Sequence, residues 1–383
     1  MDLTTRFFKV PAGHFFLLGP RGTGKTSWTQ QTFPDALRVD LLDPGTLREM
    51  AARPERLRER LGGRPGTQTV VIDEVQKLPE LLEVVHGLIE EKSGVRFVLT
   101  GSSARKLRRG GVNLLGGRAS ATTMHPFLAA ELGPAFKFEE ALRLGMLPVV
   151  HGAADPAETL RGYNGLYLRE EVQAEGLVRN IGAFSRFLEA MSFSQASVLN
   201  LANVARECQV NRKTVEGFLE VLEDLLLAFR LPVFSRRAKR AMAVHPKFFF
   251  FDAGVFRSNR PVGPLDSTAE IDGAALEGLV AQHLRTWCDL SAGGHQLHYW
   301  HTSTQVEVDF VIYGEGGLYA LEVKNTDRVR PEDLRGLRSF GEDYPESRRF
   351  LLYRGKERLL RDGILILPAE AFLQQVIPNT FPA

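Results

Sequence analysis

Eight consecutive residues, Gly19-Pro20-Arg21-Gly22-Thr23-Gly24-Lys25-Thr26, fit G-x-x-x-x-G-K-[ST] and follow directly on the apolar run Phe15-Phe16-Leu17-Leu18. Glycines in such a loop let backbone N–H groups turn inward around a phosphate, and a helix beginning at its end adds its positive pole. Lys25 is then the cation for the β- and γ-phosphates of ATP, and the Thr26 hydroxyl is a Mg²⁺ ligand, with Ser27 completing the first turn. Asp73-Glu74 closes a second apolar run, Thr69-Val70-Val71-Ile72. A carboxylate at that point suits the Mg²⁺ shell (Asp73), and its neighbour suits the general base for an attacking water (Glu74). Taken alone, an acidic pair after a strand is more often a solvated strand end; the loop at Gly19–Thr26 reverses that balance.

A second group of chemical residues lies near the C-terminus. Gln305 to Ile312 alternates polar and apolar, so Glu307 and Asp309 share one strand face, and after Gly314-Glu315-Gly316-Gly317 a strand over Leu318–Lys324 puts Glu322 and Lys324 on one face. Asp309 and Glu322 offer hard oxygens to Mg²⁺ or Mn²⁺, Glu277 on a helix over Leu276–Gln282 can complete the set, and Lys324 can orient a nucleophile or stabilise developing charge. The alternative is an exposed ion pair on an edge strand. Between these groups, a helix-turn-helix pattern places Arg212 and Lys213 at the start of its second helix, with Asn211 as the N-cap. A basic turn carries Arg236, Arg237, Lys239 and Arg240, a composition suited to DNA phosphates or to a solvated surface.

These residues must be positioned by several elements. Continuous apolar runs at 15–18, 69–72 and 97–99 read as central parallel strands, with a further strand at 36–40, so residues 1–155 form an α/β nucleotide-binding domain. Two helices, a strand, the basic turn and the strand Lys247–Phe251 describe a winged helix within residues 156–260. Residues 261–383 form a smaller α/β domain. The chain has 383 residues, 44% hydrophobic and 25% charged, with net charge +2, an ordinary globular balance that neither demands nor excludes nucleic acid. Cys208 and Cys288 stand far apart, which excludes a disulfide framework and a cysteine zinc site. The first residues lack a basic-then-apolar leader and no run reaches the ~18 residues of a membrane span, so a cytoplasmic chain without a membrane partner is expected. A basic, glycine-rich stretch at 105–111 precedes Arg118.

One strand intervening before Asp73, and the Glu after it, resemble the ATPase branch that includes the AAA+ proteins. That resemblance implies a γ-phosphate sensor at Ser102, with Thr100 beside it, and an arginine finger at Arg118 acting on a neighbouring subunit. Asp309 followed by Glu322-x-Lys324 resembles the PD-(D/E)XK nuclease core, in which the helix bearing Glu277 supplies a further acidic ligand. Together, with Pro246-Lys247, Asp252-Ala253-Gly254 and the motifs above, the chain resembles a prokaryotic family of AAA-type ATPases. Their C-terminal half joins a winged helix to a restriction-endonuclease-like domain of unknown function. The resemblance implies ATP hydrolysis, assembly as a hexameric ring or dimer, and nuclease activity on DNA. Three functions remain open: an ATP-dependent DNA-processing nuclease, an ATP-dependent switch whose nuclease-like domain does not cut, and a DNA-binding regulator.

Overall fold

The computed structural model describes residues 4–102, 114–167, 172, 180–238, 240–242 and 244–382. The chain forms two compact units: Phe8–His125 with Leu222–Leu226, and the remainder.

In the first unit the strands β1 (His14–Leu18), β2 (Leu37–Asp40), β3 (Thr69–Asp73), β4 (Arg96–Gly101) and β5 (Ala119–Thr123) form one sheet in the order β2-β3-β4-β1-β5. Every neighbouring pair is parallel. The reason is in the sequence: four of the five positions in both β1 and β3 are buried, and a strand covered on both faces has no polar side to turn outward. Helices α1 (Lys25–Thr32), α2 (Pro44–Ala52), α3 (Arg56–Gly62) and α4 (Leu81–Glu90) follow the strands, and α4 buries Leu81, Leu82, Val84, Val85 and Leu88. Because the strands run the same way, Gly19, Glu74 and Ser102, which follow β1, β3 and β4, lie at one end of the sheet. β4 lies between β1 and β3, which brings Thr100 and Ser102 between the glycine loop and Asp73.

The second unit holds two further sheets. A three-stranded antiparallel sheet, β6 (Ser197–Val198), β7 (Ala228–Leu231) and β8 (Lys247–Phe250), has the order β6-β8-β7. Helix α5 (Phe138–Leu144) and helix α6 (Ile181–Ser192) precede it. Between β6 and β7 run α7 (Leu201–Glu207) and α8 (Arg212–Asp224). The first of these begins later than the apolar spacing suggests, because the Asn200 side chain accepts the N–H groups of Ala202 and Asn203 and so fixes the start. Asn211 does the same for α8 through Thr214 N–H at 2.8 Å.

A six-stranded mixed sheet follows α9 (Ala253–Asn259) and the 23-residue α10 (Thr268–Leu290). Its strands are β9 (Gln296–His301), β10 (Glu307–Gly314), β11 (Gly317–Lys324), β12 (Arg348–Tyr353), β13 (Leu359–Arg361) and β14 (Ile364–Pro368), in the order β13-β14-β12-β11-β10-β9. Helix α11 (Arg335–Asp343) packs on it through Leu337 and Phe340. The Asp252-Ala253-Gly254 motif has a packing role here. Fully buried Asp252 caps α9 by accepting from Gly254 and Val255, and it also accepts Met146 N–H at 2.7 Å. Gly254 faces the Leu144 carbonyl so closely that a Cβ would lie inside its van der Waals radius. Both cysteines are buried and unpaired, and burial pushes the Cys208 thiol up to about 11.

Candidate functional sites

The glycine loop is held by positive backbone angles that L side chains resist: φ is +82° at Gly22 and +89° at Gly24. Gly19 abuts the Met124 carbonyl, where a Cβ has no room. Gly24 starts α1 without a side-chain cap, and no acidic residue of the helix's own first turn competes for its N-terminal N–H groups. Lys25 is 5% exposed, and its ammonium donates to the carbonyls of Gly19 at 2.6 Å and Pro20 at 3.1 Å. The Thr23 hydroxyl donates to Pro20 O at 2.8 Å. Thr26 Oγ1 donates to Asp73 Oδ2 at 2.7 Å, while Arg21, Thr26 and Ser27 are exposed. Loop, lysine, hydroxyl and carboxylate therefore converge. Two hard oxygen groups side by side at a helix N-terminus fit a Mg²⁺ shared with nucleotide phosphates.

Asp73 also accepts from the Thr100 hydroxyl, which in turn accepts the Glu74 N–H at 3.1 Å. Glu74 sits in the left-handed region at φ 57°, a conformation that costs a non-glycine residue about 1 kcal/mol or more. That turn folds the chain back so that the Gln76 amide donates to the Glu74 carboxylate and, at 2.9 Å, to Ser102 Oγ. No motif in the sequence points to Gln76, which joins Glu74 to Ser102. Ser102, read as a sensor, contacts Gln76; Thr100 is the one that contacts Asp73. Arg118 is half-exposed and ion-paired with Glu90 of its own chain.

Within the second unit, the acidic residues singled out from sequence meet at the junction of α10, β10 and β11. Asp309 Oδ2 accepts Val323 N–H at 2.9 Å, and Lys324 Nζ donates to Glu322 Oε1 at 2.7 Å. Glu322 Oε2 is buried with no partner among the described residues. Lys247 of β8, for which the sequence pattern implies no chemical role, lies among them. Its ammonium is 3.0 Å from Glu277 Oε1 and 3.2 Å from Asp309 Oδ1, and it also touches Glu307. The Tyr299 ring lies under it at 5.5 Å. Burial and the Asp309 charge raise both Glu277 and Glu322 above the ordinary carboxylate range. Burial pulls Lys247 down, and Glu277, Asp309 and Glu307 more than reverse this, holding it well above the usual lysine value. Among the described residues no three His, Cys, Asp or Glu side chains stand in an arrangement ready for a metal ion.

Of the basic residues, Arg212 pairs with Glu216 one helical turn away at 2.8 Å. Arg236 lies over the Tyr313 ring at 4.7 Å. Arg240 is held by Asp343, Glu342 and Ser339. Lys213 and Arg237 are exposed. Lys239 and the stretch at 105–111 lie outside the described residues.

Residues 13–133 match the family described as an AAA domain. The match spans β1 to β5 and every nucleotide-site residue above. The first unit carries a P-loop AAA-type ATPase domain. Such a domain implies a bound nucleotide and, usually, Mg²⁺. Residues 135–265 and 272–372 match two domains of unknown function, DUF8612 and DUF4143. No curated protein matches the chain. Protein VC1899 from Vibrio cholerae, a crystal structure, is similar over 96% of this chain and 96% of its own at 13% identity, with a TM-score of 0.22, a likeness too slight to bear on fold or function. Among the described residues no helix is long and apolar enough to cross a membrane.

Proposed function

We propose that the chain is an ATP-hydrolysing DNA-processing protein whose second unit carries a nuclease-type acidic site. The observation that carries the ATPase part is the 2.7 Å contact of Thr26 with Asp73 beside the buried Lys25 ammonium. Lys25 exchanges its two loop carbonyls for phosphate oxygens when ATP arrives, and the α1 N–H groups hold the same oxygens. Thr26 and Asp73 would hold Mg²⁺, which offsets charge on the phosphates when bound. Glu74, steadied by Gln76, takes the proton of the attacking water.

The DNA reading rests on the order α6, β6, α7, α8, β7, β8, the order of a winged helix, and on exposed Lys213, Arg236 and Arg237. Arg212 and Arg240 would have to leave acidic partners to join them. The nuclease reading draws support from Glu277, Asp309, Glu322 and Lys324 converging in the order expected of a PD-(D/E)XK site. Glu322, with an unpartnered buried oxygen, and Asp309 would hold the metal there, which supplies an acidified water when bound. The hexameric or dimeric assembly belongs to the same proposal, with Arg118 released from Glu90 toward a neighbour's nucleotide.

A second reading, an ATP-dependent switch without cutting, is favoured by one observation: Glu277 and Asp309 already neutralise Lys247. Cleavage of supercoiled plasmid and single-stranded circles, in Mg²⁺ and in Mn²⁺ with and without ATP, decides between them. Cutting by the wild type and not by Glu322→Ala, with ATPase retained, supports the nuclease. ATP hydrolysis without cutting under any condition supports the switch, and loss of hydrolysis in Lys25→Ala checks the first site.

A further inference from the structure

Lysine is rarely enclosed without partners, and Lys247 is 2% exposed at the head of a strand whose next three residues are buried phenylalanines. The backbone leaves it little choice of direction. Lys247 pairs with Val198 on one side and Leu231 on the other, in the middle strand of its sheet. Its side chain is thereby aimed across to α10 and β10, where Glu277, Glu307 and Asp309 close around the ammonium. An ammonium has three N–H donors, and three carboxylates receive it. The remaining Asp309 oxygen is taken by Val323 N–H, and one Glu322 oxygen by Lys324. Of the three carboxylates assigned to a metal, two therefore each give an oxygen to the lysine, and Glu322 Oε2 is a buried oxygen without a partner among the described residues.

We infer that Lys247 is the resident cation of the acidic site, standing where a divalent ion would need Glu277 and Asp309, so that the folded chain takes no ion there until this lysine is withdrawn. The inference rests on the reading of Glu277, Asp309 and Glu322 as a nuclease-type site, and it adds a lock to that site. The lock and the ligands come from different elements. The ammonium rides on β8 of the three-stranded sheet, and the carboxylates ride on α10 and the six-stranded sheet. Withdrawing the ammonium would leave buried carboxylates facing one another unless another cation replaced it, so lysine and divalent ion are alternatives for the same charges.

The test counts Mn²⁺ bound by the full-length, nucleotide-free chain, using electron paramagnetic resonance of the free ion. Ions that depend on this site are those lost on adding Asp309→Asn. The wild type should show no Asp309-dependent ion, and Lys247→Met should show one per chain, bound about tenfold tighter or more than anything the wild type holds there, since even one lost charged contact is worth that much. If Lys247→Met loses its native circular dichroism, Lys247→Met/Glu307→Gln removes the lysine with one of its counter-charges and is titrated instead. An Asp309-dependent Mn²⁺ in the wild type, as tight as in the lysine-less chain, overturns the lock and leaves the nuclease-type reading standing. No Asp309-dependent Mn²⁺ in any chain overturns both.

Discussion

Lowering the pH should destabilise the second unit through one imidazole. His283 of α10 is fully buried; its Nε2 accepts the Ala129 N–H at 2.9 Å and its Nδ1 lies 2.8 Å from Leu279 O. A nitrogen that accepts a backbone N–H carries no proton, so the ring is neutral with its hydrogen on Nδ1, donated to Leu279 O. Burial lowers its pKa from 6.5 to about 4, against a smaller opposite effect of the Leu279 carbonyl. The unfolded chain therefore binds a proton between these values that the folded chain refuses. The stabilisation is fully present above pH 6.5 and is lost as pH falls towards 4. That displacement of the pKa corresponds to about 3 kcal/mol, of which about 2 kcal/mol is lost between pH 7 and pH 5. Asp252 works the other way over part of this range: burial raises it to about 6 despite its three backbone donors, so its contribution declines as pH rises. The quantity to measure is thus a difference. Urea unfolding of His283→Gln and of the parent chain, both with Trp28→Phe so that emission reports only Trp287 and Trp300, should converge by about 2 kcal/mol from pH 7 to pH 5. Parallel curves for the two chains over that interval would refute the reasoning.

Three further outcomes follow from the geometry. Glu74→Gln should lower ATP turnover about 10²-fold or more while nucleotide binding persists, read by steady-state phosphate release beside equilibrium titration of a fluorescent ATP analogue. Gly19→Ala forces a methyl into the Met124 carbonyl; the loop must shift, and nucleotide affinity should fall at least about tenfold with the melting profile of the second unit unchanged. Gly254→Ala meets the Leu144 carbonyl, which cannot rotate away as a side chain could, so it should cost the second unit about 3 kcal/mol in urea unfolding while the nucleotide affinity of the first unit holds.

The candidate nucleotide site is legible because its parts are contiguous: a glycine loop, the lysine and the hydroxyl lie within one turn of chain, and the burial of β1 and β3 shows as unbroken apolar runs. The strand alternation likewise put Glu307 with Asp309 and Glu322 with Lys324. What stayed hidden depends on backbone angles and on distance in sequence. Gln76 reaches Glu74 only because Glu74 takes a left-handed turn, which no residue type there announces. Lys247 lies 30 residues before Glu277, and only the register of β8 aims it. A signal did exist, since a lysine opening a run of four phenylalanines must find buried counter-charges somewhere. In sequence Arg240 stands with its basic neighbours, because Glu342 and Asp343, which hold it, come a hundred residues later. The Asp252-Ala253-Gly254 motif, conspicuous as a pattern, turned out to fasten α9 to the end of α5.

The first unit takes its residues from two separate stretches of chain, Phe8–His125 and Leu222–Leu226, and Leu226 packs against its core. On the ribosome, then, the last piece of that unit is synthesised about a hundred residues after the sheet is complete. At the usual pace of translation the sheet waits several seconds or more with Leu226 still missing. Shortening the gene after codon 125 would make that wait permanent, so a fragment holding all of Gly19–Ser27, Asp73 and Glu74 would still lack the leucine that packs against its core.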